Sequence, residues 1–221
     1  MNTEYIKDYK YKELKQYVLA YLLVAIASVG LYTKVSVGPS NLLSSFLNMV
    51  SIDVLVGAIC SLVFVFNELW SDKSKAKIVY CDLPSNTVFS DIASGNIDET
   101  GFDLIKAQET YAYLSNATAE QQTAQWNKLL KKSRDAKQGN VIEAERLQLM
   151  TRDICMSTVS LFIMNSAALA VLMVVFANKW IPIRVFAIPL AYLIVMFFVT
   201  RVAARNRAKR LVALVIKNDL Q

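Results

Sequence analysis

Histidine is absent from all 221 residues. That absence removes the commonest acid–base group and the commonest metal ligand at once. Glycine occurs only six times, and no glycine-rich phosphate loop or nucleophile elbow can be assembled from the sequence. The carboxylate pairs that exist, Asp98/Glu99 and Glu143/Glu145, are adjacent or alternate residues. On a helix such neighbours do not face one another, and a solvated surface accounts for them. Three cysteines, Cys60, Cys81 and Cys155, lack ligand-like spacing and read as reduced thiols in a reducing compartment. The expectation is a protein that is not an enzyme, with no cofactor and no metal.

Charge is also missing, in long runs. Charged residues make up 19% of the chain and apolar ones 55%, against about 25% charged in an ordinary soluble domain. No formal charge lies between Lys15 and Lys34, or from Ile154 to Asn178. Both runs approach or exceed the roughly 20 residues that cross a ~30 Å hydrocarbon slab. The segment 48–70, "NMVSIDVLVGAICSLVFVFNELW", is interrupted only by Asp53 before Glu68. A fourth run, "VFAIPLAYLIVMFFVT", reaches spanning length if 181–183 are included and Arg184 snorkels. The fold class predicted is an all-α integral membrane protein: four transmembrane helices in two hairpins, with a helical cytoplasmic insert between spans 2 and 3. The boundaries are an N-terminal helix at 1–15, hairpin one at 16–70, the insert at 71–153, hairpin two at 154–200 and a basic tail at 201–221. The first apolar run follows a mostly polar stretch and lacks a small-residue cleavage pattern, so it reads as a retained anchor.

Lysine and arginine set the orientation. Four precede the first span, eleven lie in the insert and six in the tail, against one (Lys34) and two (Lys179, Arg184) in the outer connections. By the positive-inside rule both termini and the insert are cytoplasmic, which puts the chain in the inner, or plasma, membrane. The net charge of +6 is a topology signal first. The tail "RVAARNRAKR" reads as attracted to anionic headgroups, at roughly 1 kcal/mol per basic residue, rather than to nucleic acid. Tyr17, Tyr32, Trp70 and Trp180 sit near span ends, as interfacial aromatics do. Tyr5, Tyr9 and Tyr11 suit an amphipathic or solvated helix over 1–15, and "NLLSSFLN" a short interfacial helix in the first outer loop. Pro182 fits the first turn of the fourth span.

The insert has the composition of a globular protein. "SDKSKAKIVY" is expected to continue the second span as a wet helix, while "KIVYC" is the strongest strand candidate in the chain. "LPSNTVFSDIASG" carries start signals in Pro84 and Ser85 and a stop in Gly95. "FDLIKAQETYAYLSNA" has helical period. Thr118–Gln121 resembles a capping box opening a helix that Gly139 is expected to end.

Candidate sites follow from polar residues in apolar surroundings. Asp53 is 17 residues from Trp70, about 25 Å along a helix. It reads either as part of an acidic ring at the outer mouth of a cation pathway or as an interfacial helix cap. Ser157, Thr158, Ser160 and Asn165 give the third span a polar stripe, suited to interhelical hydrogen bonds or to pore lining. Gly57 and Ser61 permit close packing in the second span. The third helix starts wet, with Arg146, Arg152 and Asp153, and ends apolar, so it can carry a change in the insert into the bilayer. On the insert, Trp126, Lys128, Lys131, Lys132, Arg134 and Lys137 form a basic and aromatic cluster, a face for a phosphorylated ligand or partner, or else a solvated surface.

"FNELWSDKSKAKIVY" leaving span 2, "LMTRDICMS" entering span 3 and "RNRAKRLVALVIKND" after span 4, in this layout, resemble the prokaryotic SMODS-associating four-transmembrane effectors and the SLATT group. That resemblance implies a homo-oligomeric membrane effector of anti-phage defence that opens pores or perturbs the bilayer, with a nucleotide second messenger or a soluble defence partner as trigger. The sequence therefore predicts an oligomeric pore or channel gated through its cytoplasmic helices. The alternative is a non-conducting membrane sensor or scaffold that recruits a soluble partner.

Overall fold

The computed structural model describes residues 12–26, 28, 52–81, 84–96, 102–175 and 180–221. The expectations for residues 1–11, for the interfacial helix near 42–47 and for Tyr32 lie outside the described residues. Every regular element among the described residues is helical: α1 (12–26), α2 (Ile52–Leu69), α3 (Asp72–Tyr80), α4 (Pro84–Ala93), α5 (Leu104–Tyr111) with a 3-10 turn at Ala112–Leu114, α6 (Ala119–Asp135), α7 (Gly139–Val175) and α8 (Trp180–Leu220). The strand candidate at "KIVYC" falls in α3. Its Ser71 hydroxyl accepts from the Ser74 N–H and starts that helix separately from α2, which ends at Leu69.

The chain forms two compact units, residues 1–70 with 153–200, and residues 71–152 with 201–221. They change over where the charge-free runs end. α7 and α8 each contribute one half to either unit without a break. These two helices are long and apolar enough to cross a membrane, and only 22% and 17% of their most apolar windows are covered by the rest of the chain. A core helix of a soluble protein would be mostly covered.

In the first unit Leu14, Val18, Tyr21 and Leu22 of α1, Val63 of α2, Leu161 of α7 and Leu193 of α8 share one buried cluster. The opposite faces are apolar and open: Leu23, Leu62, Val65, Val171, Val174, Val195 and Phe198 are exposed.

The second unit has a conventional core. Val88, Phe89 and Ile92 of α4 meet Tyr111 of α5, Trp126, Leu129 and Leu130 of α6, Val141 of α7 and Leu211, Val212, Val215 and Ile216 of α8. Residues 201–221 thus belong to this unit and pack one face into its core. Their buried positions 204, 208, 211, 212 and 215 recur at helical period, which makes one face of α8 apolar despite the arginines between. Gln122 is buried in this core. It accepts from the Phe89 N–H and donates to the Ser90 hydroxyl and the Ala117 carbonyl, so no amide hydrogen is stranded.

Helix ends are chemically specified. The Thr118–Gln121 capping box is formed in both directions. Gly95, at φ +73°, closes α4: its N–H reaches Ile92 O and that of Asn96 reaches Asp91 O, a Schellman pair. The same pair of bonds closes α6 around Lys137, at φ +52°. The stop expected at Gly139 therefore lies two residues earlier, and Gly139 opens α7. A following α7 draws Gly139 into helical geometry, and Lys137 takes the left-handed position that a glycine would fill more readily.

Candidate functional site

Two polar constructions stand out, one in each unit. In the first, the stripe of α7 is turned inward. Ser157, Thr158 and Ser160 are essentially fully buried, and each hydroxyl donates to the carbonyl four residues back, at 2.8, 3.0 and 3.1 Å. With the Thr158 hydroxyl so committed, Tyr17 of α1 donates to Thr158 Oγ1 at 2.6 Å. Asn67 of α2, 3% exposed, donates to Ser157 Oγ at 2.9 Å and to the Asp153 carbonyl at 3.2 Å. The Asn165 amide donates to the Tyr21 hydroxyl. α1 and α2 thus supply interhelical partners to Ser157, Thr158 and Asn165, while Ser160 bonds within α7. Asp53 falls in the first turn of α2; the surroundings of its side chain, like those of Gly57, lie outside the described residues.

The second construction is a cleft of about 520 Å³ in the helical unit. α8 forms one wall with Val202, Arg205, Asn206, Ala208, Lys209 and Val212, and α4 with Thr87, Val88 and Asp91 forms the other; Tyr80 and Asn96 close it. The size suits a small-molecule ligand. Arg205 and Lys209 are one helical turn apart and so share a face. One Arg205 nitrogen donates to the Tyr80 carbonyl at 3.4 Å and to Cys81 Sγ at 3.1 Å, while Lys209 Nζ reaches Asn96 O at 3.4 Å. Arg201, one turn before Arg205, donates to Val79 O and Cys81 Sγ. Asp91 is the one acid of the lining, and it accepts from the Thr87 hydroxyl at 2.9 Å.

The basic cluster expected on α6 is dispersed. Trp126 is 7% exposed and belongs to the core. Lys132 pairs with Asp219 at 2.6 Å and Arg134 pairs with Glu145. Lys128, Lys131 and Lys137 remain on open surface. The hydrogen bonds that Arg134 donates to the Glu145 carboxylate raise its pKa above the ordinary value. Burial alone would push Asp219 up, but hydrogen bonds from Lys132 and Tyr111 and the Lys132 charge hold its carboxyl below the usual range. Burial, and then Asp219 itself, push the Tyr111 phenol up. Among the coupling residues, Arg152 pairs with Asp72 at 3.0 Å, Arg146 is half-buried on α7, and Asp153 is buried. Cys81 is exposed and Cys155 buried, both as free thiols. Among the described residues no group of three or more Cys, Asp or Glu side chains could hold a metal ion.

The cleft was not singled out from the sequence, though one signal was present: Arg201, Arg205 and Lys209 recur every fourth residue. Asp91, Thr87 and Tyr80 carried no signal, because only packing of α4 against α8 brings them there. Comparison with known proteins returns no matching family model, curated protein or solved structure.

Proposed function

We propose that this chain is a homo-oligomeric membrane effector with four spans. On this reading α1, α2 and the apolar halves of α7 and α8 lie in the inner membrane, with both termini and the helical unit in the cytoplasm. Ligand occupancy of the cleft, or a docked partner, changes the helical unit, and α7 and α8 pass the change to the membrane segment, which opens as a pore between subunits. No bond-making chemistry is assigned to it.

One observation carries the reading: α8 is a single helix, Trp180–Leu220, that holds Arg205 and Lys209 of the cleft on its polar half and exposed Val195, Phe198 and Val199 on its apolar half. The positive-inside count supports the sidedness, and the sharing of one core by α1, α2, α7 and α8 supports four spans. The likeness to SMODS-associating four-transmembrane effectors points the same way. Planar-bilayer recording of purified protein, with inorganic phosphate and small phosphate esters as triggers, tests it. Stepwise currents that appear with ligand are expected. A sealed bilayer under all conditions, with a monomer in detergent, overturns the pore.

A second reading has an observation of its own. The polar stripe of α7 is consumed by bonds within the chain, which favours a non-conducting sensor or scaffold that recruits a soluble partner. Pull-down from membranes separates the two: a stoichiometric soluble companion without current supports the scaffold.

A further inference from the structure

We infer that the cleft between α4 and α8 is a site for a phosphate group carried by a small molecule that also donates hydrogen bonds. The inference rests on the reading that the helical unit takes a ligand there, and it adds the ligand's chemistry.

Donors outnumber acceptors on the α8 wall. A guanidinium has five N–H donors and an ammonium three. The contacts of Arg205 with Tyr80 O and Cys81 Sγ come from one nitrogen, and Lys209 makes a single long contact with Asn96 O. Both side chains are exposed to the cleft, so most of their donors are available to an incoming group. Four residues apart on one helix, they share a face, and a tetrahedral oxyanion placed between them can take a planar fork from Arg205 and a point charge from Lys209. The lining carries two cations against one acid, which selects an anion over a cation or a neutral ligand.

The opposite wall decides what the anion is attached to. Asp91 only accepts hydrogen bonds, one of them from the Thr87 hydroxyl, and it shares the lining with Asn96, Val88, Val202 and Val212. A bare anion would bring no donor to the acceptor sites of Asp91 that the Thr87 hydroxyl leaves over, and a purely apolar tail would meet a carboxylate. A phosphate ester with hydroxyl or amino groups on its body satisfies both walls. The volume of the open cleft, about 520 Å³, admits such a molecule.

Two sources share this chemistry. One is a soluble phosphate ester; the other is an anionic lipid headgroup, since the exposed apolar residues Val195, Val199 and Val202 precede Arg205 on the same helix. Phosphorus NMR and thermal unfolding of the full chain distinguish them. In neutral detergent, inorganic phosphate and glycerol phosphate are titrated at constant ionic strength against chloride. In nanodiscs, phosphatidylcholine alone is compared with phosphatidylcholine doped with phosphatidylglycerol.

Saturable line broadening and a raised unfolding midpoint are expected in at least one arm. Response to glycerol phosphate in detergent identifies the soluble source. Response confined to phosphatidylglycerol discs identifies the headgroup. In either, Arg205→Gln and Lys209→Gln each weaken binding about tenfold or more, while Lys128→Gln on the open face of α6 leaves it unchanged. Circular dichroism verifies that each variant keeps its helicity, and Lys209→Gln, on an exposed side chain, remains informative if Arg205→Gln unfolds. No response in either arm, or equal weakening by Lys128→Gln, overturns the inference. Binding is read without conductance, so a silent bilayer with intact binding counts against gating alone.

Discussion

At the scale of single residues, Asp219 joins three elements by holding Tyr111 of α5 at 2.5 Å and Lys132 of α6 at 2.6 Å from the end of α8. Its carboxyl titrates below the usual range in the folded chain. The contribution is therefore complete above the unfolded-state value of about 3.9 and is lost as pH falls through the lower folded value. Unfolding midpoints measured across acid pH should fall less steeply in Asp219→Ala than in the wild type, and near neutrality that variant should be about 1–2 kcal/mol less stable. Lys137 offers the opposite sign. Its left-handed φ is strained for a side-chain-bearing residue, so Lys137→Gly is expected to stabilise by roughly 0.5–1 kcal/mol in denaturant titration. Neither residue is legible as such from sequence: the first depends on three elements meeting, the second on where α6 stops.

Among elements, α6 shows how a periodic pattern can be assigned to the wrong face. Trp126, Leu129, Leu130 and Ser133 are buried while Lys128, Lys131 and Lys132 are exposed. Trp126 therefore belongs to the apolar stripe, and Trp126→Ala should cost about 3–5 kcal/mol; retention of wild-type stability would contradict its place in the core. The stripe on α7 is the counterpart in the first unit. Its polar positions were visible because polar groups in a long apolar run need partners, but those partners, Tyr17, Tyr21 and Asn67, lie on other helices and only packing names them. Tyr17→Phe should lower stability in detergent by about 0.5–2 kcal/mol without changing phosphate binding at the cleft.

At the scale of the whole molecule, the decisive features are two units and two helices common to both. Replacing Leu149 and Met150 together by glycine places two residues of poor helix propensity, each costing about 1 kcal/mol, just before the change-over at Arg152/Asp153. On the proposed function, cleft binding survives this change and ligand-evoked conductance falls severalfold; an unchanged conductance would remove α7 from the coupling route. Sidedness has a direct test in Cys81, which is exposed. A membrane-impermeant maleimide should modify Cys81 in permeabilised cells and not in intact ones, read by mass spectrometry at that site, and labelling of intact cells would reverse the assigned topology.

The linear sequence by itself determined the helical class, the apolar lengths and the local start and stop signals at Thr118 and Gly95, because each depends on periodicity or on chemistry within one turn. Tertiary structure alone decided that the tail packs into the core of the helical unit, that Trp126 is core, and that Arg205 and Lys209 line one cleft with Asp91. Those outcomes depend on which helix face meets which, a choice made by apolar surfaces far apart in the chain.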